Sequence, residues 1–285
     1  MQEAYMEKAH RILFILLSEI DRVCKKYGLK YYLICGGLIG AVRHKNFIPW
    51  DDDIDVAMTR EDFDKLKKIA KKEWRSGSFL FVDYNQLGNG AFLDYMTRVI
   101  YMDEEIPINV FRKISGKGRS DIDNHMPLDI YVLDKAPKDE KKFQRLVKCI
   151  QGLYGLGMAH RAYINYDEYS NTKPEMQKKI KLLTNIGKYI PLWLIVWVYE
   201  LVRKSYRHLK EYDYFQSNGW ILCIPWRFKR EWFEEGAEVE INGTSFMAPK
   251  MYDEFLRFFY GDYMKLPPEE KRKPTHAADA SGIFH

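Results

Sequence analysis

The sequence predicts an α+β fold in which a mixed β-sheet core is flanked by helices and followed by a helical insert and a C-terminal closing segment. Three observations carry the prediction. Short apolar runs alternate with amphipathic stretches up to about residue 135; the pattern then stays helical to about Tyr214; and Asn242-Gly243 between two alternating runs marks a hairpin. The expected layout is a catalytic core over 1–135, a helical subdomain over 136–215 and a closing segment over 216–285. With 285 residues, of which 46% are hydrophobic, the chain can bury a sizeable core.

Taken in order, Ile12, Leu13, Leu16, Ile20 and Val23 recur at helical spacing within Ala4 to Tyr27, and Gly28 follows as a C-cap. Tyr31 to Cys35 reads as a short buried strand, Gly36-Gly37 as a tight turn and Leu38 to Arg43 as a short helix. After Pro49, Asp53 to Ala57 reads as a strand, and Thr59 with Asp62 forms a capping box that opens a helix to about Glu73. Phe79 to Tyr84, Phe92 to Tyr101 and Leu128 to Leu133 are further strand candidates, the last two separated by a polar loop at Ser115 to Asn124. The sheet is expected to end near Lys135, and one more helix is expected at Tyr252 to Tyr260.

Charge and cysteine usage narrow the function classes. A net charge of +5 spread along the chain suits anionic ligands, but the basic residues form no tract interleaved with aromatics, and Lys67-Lys68 and Lys71-Lys72 fit a solvated helix face. No nucleic-acid partner is expected. Cys24, Cys35, Cys149 and Cys223 show no paired metal spacing and read as reduced core residues. The N-terminus lacks a signal-peptide pattern, so a cytoplasmic location is expected. Tyr189 to Val202 is the most apolar segment, but it is shorter than the ~20 residues that span a bilayer and contains Glu200. A buried core helix is the favoured reading. Trp193, Trp197 and the basic run after Val202 keep peripheral membrane contact open.

The chemistry concentrates in residues 36–55. On a strand Asp53 and Asp55 share one face while Ile54 and Val56 point to the core, so the two carboxylates suit a hard cation such as Mg²⁺ or Mn²⁺. Asp51, Asp53 and Asp55 occupy alternating positions. A calcium loop is excluded at Val56, where that motif requires glycine. Gly36 and Gly37 ahead of a helix can present backbone N–H groups to phosphate, and Arg43, His44 and Lys45 follow as a basic run suited to a diphosphate, with solvated charge the competing reading. Asp129 stands among apolar residues in Pro127 to Leu133, where an acid is costly unless it serves a metal or partner. It is the natural third carboxylate and the candidate acceptor of a hydroxyl proton.

The stretch GGLIGAVRHKNFIPWDDDID resembles the signature of the LicD family of phosphotransferases, which is related to the fukutin-type proteins. PLDIYVLD at Pro127 to Asp134 and YGDYMKLPPEEKRKPTH at Tyr260 to His276 are similar to the family's second acidic strand and C-terminal block. The resemblance implies a nucleotidyltransferase-like core, with metal-binding and catalytic acids at Asp53, Asp55 and Asp129, Asp51 as a further metal-site candidate, and substrate-binding positions at Gly36, Gly37, Arg43, His44 and Trp50. It also implies transfer of a phosphorylated alcohol, such as phosphocholine, from a CDP-alcohol donor to a glycan acceptor. A choline headgroup would want an aromatic box; Trp50, Tyr84 and Trp220 are candidates, none of them assigned. No motif falls between Leu133 and Trp220.

Overall fold

The structure is a computed structural model that describes residues 2–75, 77–84, 92–108, 120–161, 164, 166 and 173–277. Helix α1 (Gln2–Tyr27) buries Ile12, Leu13, Leu16, Ile20 and Val23, the stripe its periodicity marks, and ends where Gly28 turns at φ 64°. Strand β1 (Tyr32–Ile34) leads directly into α2 (Cys35–His44). The expected turn at Gly36-Gly37 is therefore absent, and both glycines lie in the first helical turn. The left-handed conformation falls instead on Cys35, at φ 51°. A side chain in that region costs about 1–2 kcal/mol and has to be held by its surroundings.

Strand β2 (Asp55–Thr59) starts two residues later than the sequence suggests, leaving Asp53 just ahead of it. Helix α3 (Arg60–Glu73) opens on the expected cap, with the Asp62 amide donating to Thr59 Oγ1 at 3.4 Å. Strands β3 (Phe79–Val82) and β4 (Thr97–Tyr101) follow. The latter is shorter than expected because Asp94 accepts from the Met96 amide at 2.9 Å, a local turn that competes with strand pairing. Of the polar loop at 115–124, the part before Ser120 lies outside the described residues.

Strand β5 (Pro127–Ala136) is the central strand, parallel to β2 and antiparallel to β4, in the order β1-β2-β5-β4-β3. The parallel pairing sets Asp55 beside Asp129 and Val56 beside Ile130. The sheet does not stop near Lys135. After α4 (Glu140–Met158), α5 (Pro174–Gly187) and α6 (Leu192–Arg203), strand β6 (Asp213–Gln216) pairs antiparallel with the far half of β5, and β7 (Arg227–Phe228) pairs with β6. Tyr214 and Phe215 are buried there, so a four-residue strand at the end of the expected helical stretch is stabilised by tertiary packing.

The hairpin of β8 (Gly236–Ile241) and β9 (Thr244–Pro249) turns at Asn242 and Gly243, at φ 51° and 75°, the double left-handed turn that Asn-Gly favours. It packs with α7 (Tyr252–Tyr260) into the same hydrophobic core as α1 and the sheet, through Phe228, Phe233, Phe246 and Phe255. A second core joins α4 and α6 to the sheet around Tyr95, Phe143, Tyr199 and Phe215. Beside it, buried Asp134 accepts from Arg60 at 2.8 and 2.6 Å and from Ser217 Oγ at 2.6 Å, with Arg203 Nε at 3.3 Å. All four cysteines are free, but Cys149 is exposed on α4 and Cys35 belongs to the site described next, so only Cys24 fits the expectation of a fully buried core thiol.

Candidate active site

Three acids meet at the start of the parallel strand pair. Asp55 and Asp129 are register partners, Asp53 stands two residues upstream of Asp55, and the Asp129 amide donates to the Ile54 carbonyl at 3.1 Å, which locks the two chains at this level. Burial pushes the Asp55 carboxyl well above its usual range, and the charges of Asp53 and Asp129 push in the same direction. Burial likewise lifts Asp129, up to about 6, against the opposing guanidinium of Arg98, whose Nε lies 2.9 Å from Asp129 Oδ1. Arg98 also grips Asp94 with two bonds, at 2.8 and 2.9 Å. It is the one charged residue of β4, a pattern that calls for a buried partner, though it is not among the residues singled out from the sequence.

Asp51 sits on the same cluster. Its carboxyl is raised by burial and by the charges of Asp53 and Asp52, and it shares a hydrogen bond with Asp53. The bareness of Gly36 serves this acid: a Cβ there would stand 1.9 Å from Asp51 Oδ2. The Cα of Gly37 lies against the core. A Cβ on it would press on Leu33 at 2.9 Å and Ile54 at 3.4 Å, so its smallness serves the core beneath the site. The strained Cys35 lends its thiol as a donor to Asp55 and accepts from the Tyr260 hydroxyl, and burial holds the thiol protonated.

Asp52 departs from its neighbours and faces away from the cluster. It is 2% exposed and accepts from Tyr5 Oη at 2.9 Å, the Thr275 amide at 2.9 Å and the His276 amide at 3.1 and 3.2 Å. This clasp carries His276 onto the acids, where its Nε2 meets Asp53 Oδ2 at 3.1 Å. Burial alone would lower the imidazole pKa, but the hydrogen bond and charge of Asp53 outweigh it and hold His276 up to about 9. The acid-rich run therefore divides into a cluster of Asp51, Asp53 and Asp55 and one structural anchor.

The basic rim is tied to the same C-terminal block. Arg43 Nη1 donates to the Tyr263 carbonyl at 2.7 Å, and its Nε donates to His44 Nε2 at 2.9 Å. Burial and the Arg43 charge lower the His44 pKa. Trp50 stands edge-on to His44, with centroids 6.4 Å apart, and Arg272 lies over its indole at 5.5 Å. Trp50 and Arg272 also border an open groove of about 760 Å³ that runs along the start of α1. Of the other aromatics named from the sequence, Tyr84 is buried in the second core, where its hydroxyl donates to Glu200, and Trp220 is exposed.

The donor set suits a divalent cation in chemistry, since hard carboxylate oxygens that raise one another's proton affinity gain most from a shared positive charge. Among the described residues, however, no three His, Cys, Asp or Glu side chains converge as a finished metal cage. Asp53 is turned to His276 and Asp129 to Arg98, so two of the three acids are partnered by cations of the protein itself.

Residues 28–118 match the family described as LicD/FKTN/FKRP, nucleotidyltransferase domain. The lipopolysaccharide cholinephosphotransferase LicD of Haemophilus influenzae is 27% identical over 282 residues, covering 98% of this chain and 99% of that protein. An uncharacterized protein of Rickettsia prowazekii is 39% identical over 186 residues, 62% of this chain and 63% of that one. The human ribitol 5-phosphate transferase FKRP is 37% identical over 51 residues, 18% of this chain and 10% of that protein.

Proposed function

We propose, from the premise that this chain is a LicD-family transferase of phosphate-containing groups, that it moves a phosphorylated alcohol from a CDP-activated donor to a sugar hydroxyl of a cell-surface glycan or its lipid-linked precursor. Phosphocholine is the group we assign. The observation that carries the reading is the side-by-side register of Asp55 and Asp129 with Asp53 beyond them, in a chain aligned end to end with a cholinephosphotransferase.

In this reading Asp53 and Asp55, with Asp51 behind them, would hold Mg²⁺ or Mn²⁺. When bound, the ion neutralises charge on the donor diphosphate. Arg43, His44 and Trp50 face the donor's phosphates and nucleotide from the rim. The acceptor oxygen forms a bond to the phosphorus that bears the alcohol, the bond from that phosphorus to CMP breaks, and Asp129 takes the hydroxyl proton. A carboxyl lifted to about 6 is well matched to that task near neutral pH.

Calorimetric titration of CDP-choline, CDP-glycerol, CDP-ribitol and ATP with Mg²⁺, against wild type and the Asp53→Asn/Asp55→Asn double variant, tests the assignment. Metal-dependent binding of a CDP-alcohol that disappears in the variant is the expected result and identifies the donor. Binding of ATP alone would replace this reading with nucleotidyl transfer.

A further inference from the structure

Helix α6 has two faces of opposite burial that are both apolar. Ile195, Val196 and Tyr199 are buried against the second core, while Trp193, Trp197 and Leu201 are 70%, 56% and 53% exposed. Their i, i+4, i+8 spacing draws one continuous stripe along the side opposite the buried residues. Next to the helix in sequence, Tyr189, in the four-residue link 188–191, is 81% exposed, and Ile186 and Leu182 on α5 are exposed as well. The sequence favours a buried core helix here and leaves peripheral membrane contact as the alternative. The structure buries half of it.

The residues around the stripe supply the argument for what covers it. Between Lys173 and Lys210 the sequence holds nine Lys and Arg against two acids, Glu175 and Glu200, an excess larger than the net charge of +5 of the whole chain. Glu200 is occupied by Arg203 at 3.3 Å and Lys204 at 2.7 Å. Lys178, Lys179, Lys181, Lys188, Arg207 and Lys210 are exposed, and Lys188 Nζ rides over the Tyr189 ring at 5.1 Å. A second copy of the chain docking on the same face would set these excess charges against each other. An anionic surface would be attracted by them, and indole and phenol rings that are apolar in body and polar at one edge are suited to the boundary between headgroups and acyl chains. No helix among the described residues is long and apolar enough to cross a membrane, so the contact is one that lies on the surface.

We infer that the α5–α6 elbow is a docking surface for an anionic lipid bilayer, with Tyr189, Trp193, Trp197 and Leu201 entering the interface and the flanking lysines facing the headgroups. The surface is argued without reference to the transfer reaction, so either conclusion stands if the other fails.

The test is co-sedimentation of the full chain with vesicles of phosphatidylethanolamine and phosphatidylglycerol, and with vesicles of phosphatidylcholine alone. Variants are Trp193→Ala/Trp197→Ala/Leu201→Ala, which alters only exposed side chains, and Lys178→Glu/Lys181→Glu/Lys188→Glu. The wild type is expected to pellet with the anionic vesicles and far less with the neutral ones. Each triple variant should lower the bound fraction roughly tenfold or more while keeping the wild-type thermal melt, since the first removes the apolar contribution and the second the charge contribution. A wild type that stays in the supernatant with both vesicle types, or an aromatic-stripe variant that pellets like the wild type, would overturn the inference. So would analytical ultracentrifugation showing a wild-type dimer that the aromatic-stripe variant dissolves.

Discussion

Replacing Asp52 with alanine should release the C-terminal block from the active site while leaving the rest of the fold in place. The carboxylate accepts four contacts of 2.9 to 3.2 Å, from Tyr5 Oη and the amides of Thr275 and His276, in a position only 2% exposed. Hydrogen bonds to a charged group contribute about 1.5–3 kcal/mol each, but the two amides belong to a terminal segment that can turn into water when freed. The net loss for docking of residues 275–277 is then about 3 kcal/mol, which raises the undocked population roughly a hundredfold. Hydrogen exchange resolved to single amides reads this directly: protection at Thr275 and His276 should drop by about that factor, while α3 and β5 keep theirs. Asp52→Asn, which keeps one acceptor oxygen, should lose about half as much free energy. Because the clasp brings His276 to Asp53, transfer activity should fall in the same order. Unchanged protection at Thr275 and His276 in Asp52→Ala would refute the clasp.

Three further outcomes follow from the geometry. Gly36→Ala places a Cβ 1.9 Å from Asp51 Oδ2, so Asp51 has to move; activity should fall at least about tenfold, with a stability change within about 1–3 kcal/mol by thermal unfolding. Asp134→Asn weakens the anchor of Arg60 and Arg203 in a buried position, and denaturant unfolding should show a loss of about 3–5 kcal/mol. Asp129 titrates near 6 in the folded chain against about 3.9 unfolded, so the folded state holds the extra proton between those values, and the stability this acid lends at low pH is lost as pH rises through 6. A magnesium-induced rise in melting temperature should accordingly be larger near pH 8 than near pH 5, and an equal rise at both would argue against binding to these acids.

Much of the scaffold was legible because its signals are local. The stripe in α1, the Thr59 cap, the Asn242-Gly243 turn and the full extent of α7 each need only neighbours within a few residues. What escaped depends on partners far along the chain. Strand β6 exists because Leu133 to Ala136 pair with it, about 80 residues away, and four residues carry no periodicity that could announce it. Glycine spelled a turn at 36–37, but those residues open α2 packed against Asp51 and Ile54, side chains some fifteen residues away, and the left-handed conformation falls on Cys35.

The same contrast holds within the site. Asp53, Asp55 and Asp129 stood out because acids are costly among apolar strand residues, and strand pairing brought them together. Asp52 carries the same side chain as its neighbours in the run. Its different role depends on amides 223 and 224 residues away, a distance over which spacing says nothing. His276 and Arg272 lay in the C-terminal block already singled out by its resemblance, but nothing in that block indicated which acid or ring each would meet.

The most direct test of phosphotransfer uses CDP-choline labelled separately in the cytidine and in the choline, with Mg²⁺ and a glycan acceptor. The account predicts that choline label enters the acceptor in step with release of labelled CMP, and that Asp55→Asn abolishes both. Cytidine label retained on the acceptor would contradict it.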